Sequence, residues 1–152
     1  MLISPSQDRN FHLAEGITVQ AMLLRHIVSL SDVDTPLELV NFAEPQAQLG
    51  EVLIRVSACG VCHTDLDEIE GRTIPPRLPV IPGHQVVGRV AKLGTGVTSH
   101  RIGDRVGIGW IHHSSGDDDE KLSPQFCATG RDVNGGYAQR MTVPSRYAYP
   151  IS

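Results

Sequence analysis

The 152-residue chain is poor in aromatic side chains, with three Phe, three Tyr and one Trp. So few rings cannot supply the stacking platforms that hold single-stranded nucleic acid. Positive charge is short as well: 13 Lys and Arg stand against 17 Asp and Glu, a net charge of −4. No basic stripe offers itself to a phosphate backbone, so nucleic acid is not an expected partner. No apolar run approaches the roughly 18 residues needed to cross a bilayer, which excludes a membrane-spanning helix. The N-terminal MLISPSQDRNFHLAEG has an early proline, no basic segment and no apolar stretch of signal-peptide length. Cysteine is limited to Cys59, Cys62 and Cys127, an odd number with two too close in sequence to staple a fold. A reduced, cytoplasmic protein is the expectation. There is no internal repeat and no low-complexity tract.

What is abundant is turn chemistry. Fifteen glycines and ten prolines exceed the usual content of roughly one residue in eight, which favours short strands over long helices. Residues 1–20 show no periodicity and are expected to be a disordered N-terminal extension, with a single domain over 21–152. AMLLRHIVSL (21–30) begins a strand-like stretch, and LELVNFAEP (37–45) reads as its antiparallel partner. In GEVLIRVSA (50–58), Val52, Ile54, Val56 and Ala58 face one way, and Leu53, Arg55 and Ser57 the other. VVGRVAKLG (86–94), DRVGIGW (104–110) and two pieces within 135–151, separated by Pro144, complete six or seven strands. IHHSSGDDDEKLSPQ reads as a long polar loop with a solvated acidic run at 116–120. One short helix is expected after Cys62, N-capped by Thr64 with Asp67 completing a capping box and Gly71 ending it. Leu66 and Ile69 would form its inner face. The fold class is therefore mainly β, a barrel or sandwich with one or two short helices.

ACGVCHTDLDEIEG (58–71) carries the chemistry. A redox dithiol would need a Cys-x-x-Cys at the start of a longer helix inside a βαβ setting, which the flanks do not provide. Cys59 and Cys62 as buried apolar side chains suits Cys59, but leaves Cys62 crowded by His63, Thr64 and Asp65. A metal site needs a further ligand, and VIPGHQVVG places His84 on a Pro-Gly turn 22 residues after Cys62. Thiolate and imidazole suit zinc, and Asp65 is placed to orient a ligand from behind.

GVCHTDL (60–66), PVIPGHQVVGRV (79–90), GDRVGI (103–108) and NGGYAQ (134–139), in that order and at those separations, resemble the zinc-dependent alcohol dehydrogenases of the medium-chain dehydrogenase/reductase superfamily. The resemblance runs from about Ala21 to Ser152 and implies a GroES-like β-barrel, the catalytic domain of those enzymes. It implies that Cys62 and His84 are the first two ligands of a catalytic zinc and that Asp65 lies behind the ligands. Thr64 would be the hydroxyl that receives the alcohol's proton. His63 would lie near the coenzyme pyrophosphate and join the proton relay. The implied reaction takes a small alcohol to an aldehyde or ketone, with hydride passing to NAD or NADP.

The match has departures. The residue after the histidine is usually Glu in this family and here is Gln85, a neutral amide expected to tune the metal. Residues 107–126 contain no cysteine, so the four-cysteine structural zinc of many members is excluded. Ser123 falls where the last of those cysteines would lie, Cys127 is expected to be a free thiol, and His112 and His113 are weak substitutes as metal ligands. Trp110 is a candidate lining residue of the substrate pocket. The third zinc ligand and the Rossmann domain of the family would follow Ser152, and no G-x-G-x-x-G followed by an acid occurs in the sequence. The expectation is a catalytic domain that does not oxidise alcohol as this chain alone. The alternative is a non-catalytic GroES-like binding or structural module, with homo-oligomers or self-association through unpaired strand edges.

Overall fold

The computed structural model describes residues 16–116 and 123–152. Strand β1 (Thr18–Leu23) pairs antiparallel with β2 (Glu38–Ala43), as the two apolar stretches predict, although β1 begins at Thr18 and is over by Leu23. Next come β3 (Glu51–Gly60), helix α1 (His63–Ile69), β4 (Gln85–Leu93) and β5 (Arg105–Ile108). The chain continues through β6 (Ile111–His113), β7 (Cys127–Ala128), β8 (Arg140–Pro144), a 3₁₀ turn over Ser145–Tyr147 and β9 (Ala148–Pro150). The main sheet has the order β8-β3-β4-β5-β9, antiparallel throughout, and curls into a half-barrel. The mainly-β, GroES-like expectation is borne out.

Valines and isoleucines at alternate positions close the inside of the curl. Val52 and Ile54 of β3, Val86 and Val90 of β4, Val106 and Ile108 of β5, and Met141 and Val143 of β8 form one buried cluster. Each such side chain contributes roughly 1.5–3 kcal/mol by leaving water. The strict alternation expected along β3 fails in two places. Register shifts between Leu53 and Ile54 and between Val56 and Ala58 break the pairing with β4. Leu53 is fully buried, whereas Ala58 is exposed. Bulges of this kind bend a strand and re-aim its side chains, and here they turn the end of β3 toward α1.

The helix begins two residues earlier than predicted. Cys62 is its N-cap, and its amide donates to Asp65 Oδ2 at 2.8 Å, so the acid of the capping box is Asp65 and not Asp67. Gly71, at φ +77°, follows the C-cap Glu70 and ends the helix as expected. The polar segment after β5 holds a strand pair that the sequence did not announce, β6 with β7. Within the acidic run, residues 117–120 lie outside the described residues, as do residues 1–15 of the expected extension. Among the described residues, no helix is long and apolar enough to cross a membrane.

The segment that presents His84 is clamped from two sides. Leu24, the residue that follows β1, binds it through reciprocal backbone bonds with Val80, at 2.8 and 3.1 Å. Opposite, NGGY supplies four bonds. Asn134 Oδ1 accepts the Ile81 amide at 3.2 Å, Gly135 donates to Ile81 at 2.6 Å, Gly136 to Gly83 at 2.8 Å and Tyr137 to Pro82 at 3.0 Å. The approach is so close that a Cβ on Gly135 would lie 2.1 Å from the Gly83 carbonyl oxygen. Gly83 itself has φ +96°, which a side chain would strain.

Candidate metal centre

Three of the residues singled out in the sequence converge. Cys62 Sγ lies 3.2 Å from His84 Nε2, and His84 Nδ1 lies 3.5 Å from Asp65 Oδ1. The donor atoms of Cys62, Asp65 and His84 all fall within 4.8 Å of one another. Among the described residues this is the one such grouping of three metal-binding side chains. The elements explain the convergence: the N-terminus of α1 presents Cys62 and Asp65, and the clamped Gly83 turn presents His84.

The grouping has a direction. Asp65 Oδ2 is engaged by the Cys62 amide, while Oδ1 addresses His84 on the Nδ1 side, the edge of the ring away from the thiol. Asp65 thus stands on the opposite edge of the imidazole from the thiol. At 3.5 Å neither His84 Nδ1 nor Asp65 Oδ1 makes a hydrogen bond, and both are buried. A tetrahedral zinc about 2.3 Å from sulfur and 2.0 Å from nitrogen sets those two atoms about 3.5 Å apart. The observed 3.2 Å needs only a small opening, so donor types and spacing fit the ion.

The neighbouring candidates are placed as follows. Thr64 is half-buried on the first turn of α1. His63 is largely exposed, its Nε2 3.6 Å from Asp67 Oδ1. Gln85 opens β4 opposite Gly60 with its side chain over that glycine, and brings no charge. Cys59 points elsewhere. Its sulfur packs against Gly83 and Gly136, and burial pushes its thiol up to about 11. That is the opposite of what a nucleophilic dithiol requires. His112 is half-buried with its Nδ1 unpartnered and its pKa lowered by burial. His113 faces Arg146 at 2.7 Å, and neither histidine joins a metal-binding group among the described residues. Cys127 is a free, half-buried thiol, and Ser123 caps a turn by accepting the Gln125 amide.

One charged residue went unnoticed in the sequence. Glu68 has no solvent exposure, and neither of its carboxylate oxygens has a hydrogen-bond partner. Burial, then the Asp65 charge, push its carboxyl up to about 7, against a smaller downward pull from Arg131. Its spacing of three from Asp65 was the available signal, since positions i and i+3 share a helix face. Tyr137 is the other neighbour: burial, followed by the Asp65 charge, raises its phenol well above the ordinary range.

A curled antiparallel half-barrel here brings a thiol, an imidazole and a carboxylate together in a candidate metal site. Residues 48–152 match the family model of the alcohol dehydrogenase GroES-like domain, and the chain belongs to that family. It is 42% identical over 123 residues to an alcohol dehydrogenase of Geobacillus stearothermophilus, covering 76% of this chain and 36% of that protein. It is 37% identical over 142 residues to alcohol dehydrogenase patD of Aspergillus clavatus, covering 90% and 36%. Among solved structures, the cobalt- and zinc-bound thermostable alcohol dehydrogenase from Pyrobaculum aerophilum superposes with a TM-score of 0.76 at 27% identity, over 88% of this chain and 41% of that one. The chain spans little more than a third of the length of the curated relatives it matches.

Proposed function

We propose that this chain is the zinc-binding catalytic domain of an alcohol dehydrogenase-like oxidoreductase, which takes a small alcohol to an aldehyde or ketone with hydride transfer to NAD or NADP in the complete enzyme. The observation that carries the reading is the Cys62–His84 pair with Asp65 behind the imidazole. Cys62 Sγ and His84 Nε2 would hold the ion, and zinc when bound would supply Lewis acidity that lowers the pKa of an alcohol. Asp65 orients both ligands, His84 from behind and Cys62 through its amide. Thr64, two residues beyond the thiol, would take the alcohol's proton on Oγ1 while releasing its own hydroxyl proton outward. His63 passes it to solvent, and its exposure suits that step.

The test is zinc content in protein purified without added metal, beside Cys62→Ala and Cys59→Ala. About one zinc per chain, lost in the first variant and kept in the second, is expected. Zinc-free wild-type protein, or zinc that survives Cys62→Ala, would refute the reading and return the chain to a non-catalytic β-module.

A further inference from the structure

The charge behind the candidate metal ligands is out of balance. Asp65 and Glu68 are one turn apart on the inward face of α1, 1% and 0% exposed. Three of their four carboxylate oxygens lack a hydrogen-bond partner, Asp65 Oδ1 and both oxygens of Glu68. The cation that acts on Glu68 is Arg131, which is already committed. Its guanidinium holds Asp132 through two bonds of 2.9 and 2.8 Å and lies over the rings of Trp110 and Phe126 at 5.9 and 6.0 Å. Asp132 in turn accepts the Ala128 amide at 2.6 Å. A buried carboxylate without hydrogen bonds or a free counter-ion is costly to ionise, so it holds its proton to higher pH unless a cation nearby favours the charged form. In α1 the uncompensated charge lies on the same helix face as the carboxylate that addresses His84.

We propose that Glu68, acting through Asp65, is a positioning residue of the metal site: one turn beyond Asp65 on the same buried face of α1, it adds a second carboxylate whose negative charge a divalent cation at Cys62 and His84 offsets. The inference rests on the metal-site reading above. Gln85 is neutral, so Glu68 is the next carboxylate along this face after Asp65. Removing its charge weakens the hold on a dication without touching a ligand.

The experiment titrates cobalt(II) into metal-free protein at pH 8, for wild type and Glu68→Gln, and follows the thiolate-to-cobalt absorption band. Thermal melts of both metal-free proteins accompany it. Expected for Glu68→Gln is an affinity about tenfold weaker, the lower end of the effect of groups behind metal ligands. The band should be unchanged in shape, and the metal-free melting temperature equal to or above wild type. Equal cobalt affinity in the two proteins would overturn the inference and leave the metal site standing. Absence of a thiolate band in wild type would overturn the metal site and the inference together. If Glu68→Gln does not fold, Glu68→Met, which is also neutral and of similar length, decides: weaker cobalt binding than wild type supports a role for the charge, and equal binding overturns it.

Discussion

Replacing Glu68 by glutamine in the metal-free protein also changes how stability depends on pH, and the sign follows from its environment. The carboxyl sits at an ordinary 4.5 in the unfolded chain and at about 7 when folded, raised first by burial and then by Asp65. Between those values the folded state keeps a proton that the unfolded state has released. Stability therefore falls as pH rises through the window and levels off above about 7. At about 1.4 kcal/mol per pH unit, the full cost is about 3 kcal/mol, a large share of the 5–15 kcal/mol typical of a domain. Glu68→Gln keeps the shape and removes the titration. The assay is urea unfolding at pH 5 and pH 8 with a chelator present, in wild type and variant. The variant should be little changed at pH 5 and about 2–3 kcal/mol more stable than wild type at pH 8. His112, lowered by burial, adds stability as pH rises through the lower part of this window, and comparing the two proteins removes its contribution. Asp132, whose carboxyl lies below 3.8, loses its contribution only at lower pH. A variant whose pH 5 to pH 8 difference matches wild type would refute the assignment of this cost to Glu68.

Two further outcomes test the frame around the site. Gly135→Ala drives a Cβ into the Gly83 carbonyl oxygen and the Gly130 backbone, and should cost about 3 kcal/mol, the upper end for overpacking. Zinc binding should weaken with it because the His84 turn moves, and a chemical melt with metal analysis checks both effects. Alkylation of metal-free protein by iodoacetamide at pH 8, followed by peptide mass mapping, should modify Cys62 well before Cys59, whose thiol is pushed up to about 11 by burial. Faster modification of Cys59 would contradict its packing against Gly83 and Gly136.

The sequence reading succeeded where local chemistry and tertiary structure agree. Alternating valines and isoleucines in 50–58 and 86–94 became β3 and β4 because both strands bury one face in the same cluster. The pairing of Cys62 with His84 was legible through motifs, yet the spacing of 22 residues is closed by contacts made much later in the chain. Asn134, Gly135, Gly136 and Tyr137 all bond to the segment Ile81–Gly83. NGGYAQ is therefore less a signature of chemistry than the clamp that fixes where the imidazole points.

The misreadings share a cause. Taking Thr64 as the helix cap followed a residue-type preference, but a cysteine holds that position because the Asp65 carboxylate satisfies its amide. Ile69 is on the inner face as expected, but placing Leu66 beside it treated acids as surface residues, whereas the helix turns Asp65 and Glu68 inward with Ile69 and leaves Leu66 half-buried. Hydrophobic periodicity assigns the inside of a helix by what water rejects. It has no way to mark a carboxylate held inside by a cation that arrives from elsewhere. Arg131, more than sixty residues along the chain, acts on Glu68 through its charge alone, from a loop in which it is bound to Asp132. The burial of Glu68 with no hydrogen bond to either carboxylate oxygen is thus a tertiary fact, and under the proposed reading a cation at Cys62 and His84 would favour its charged form.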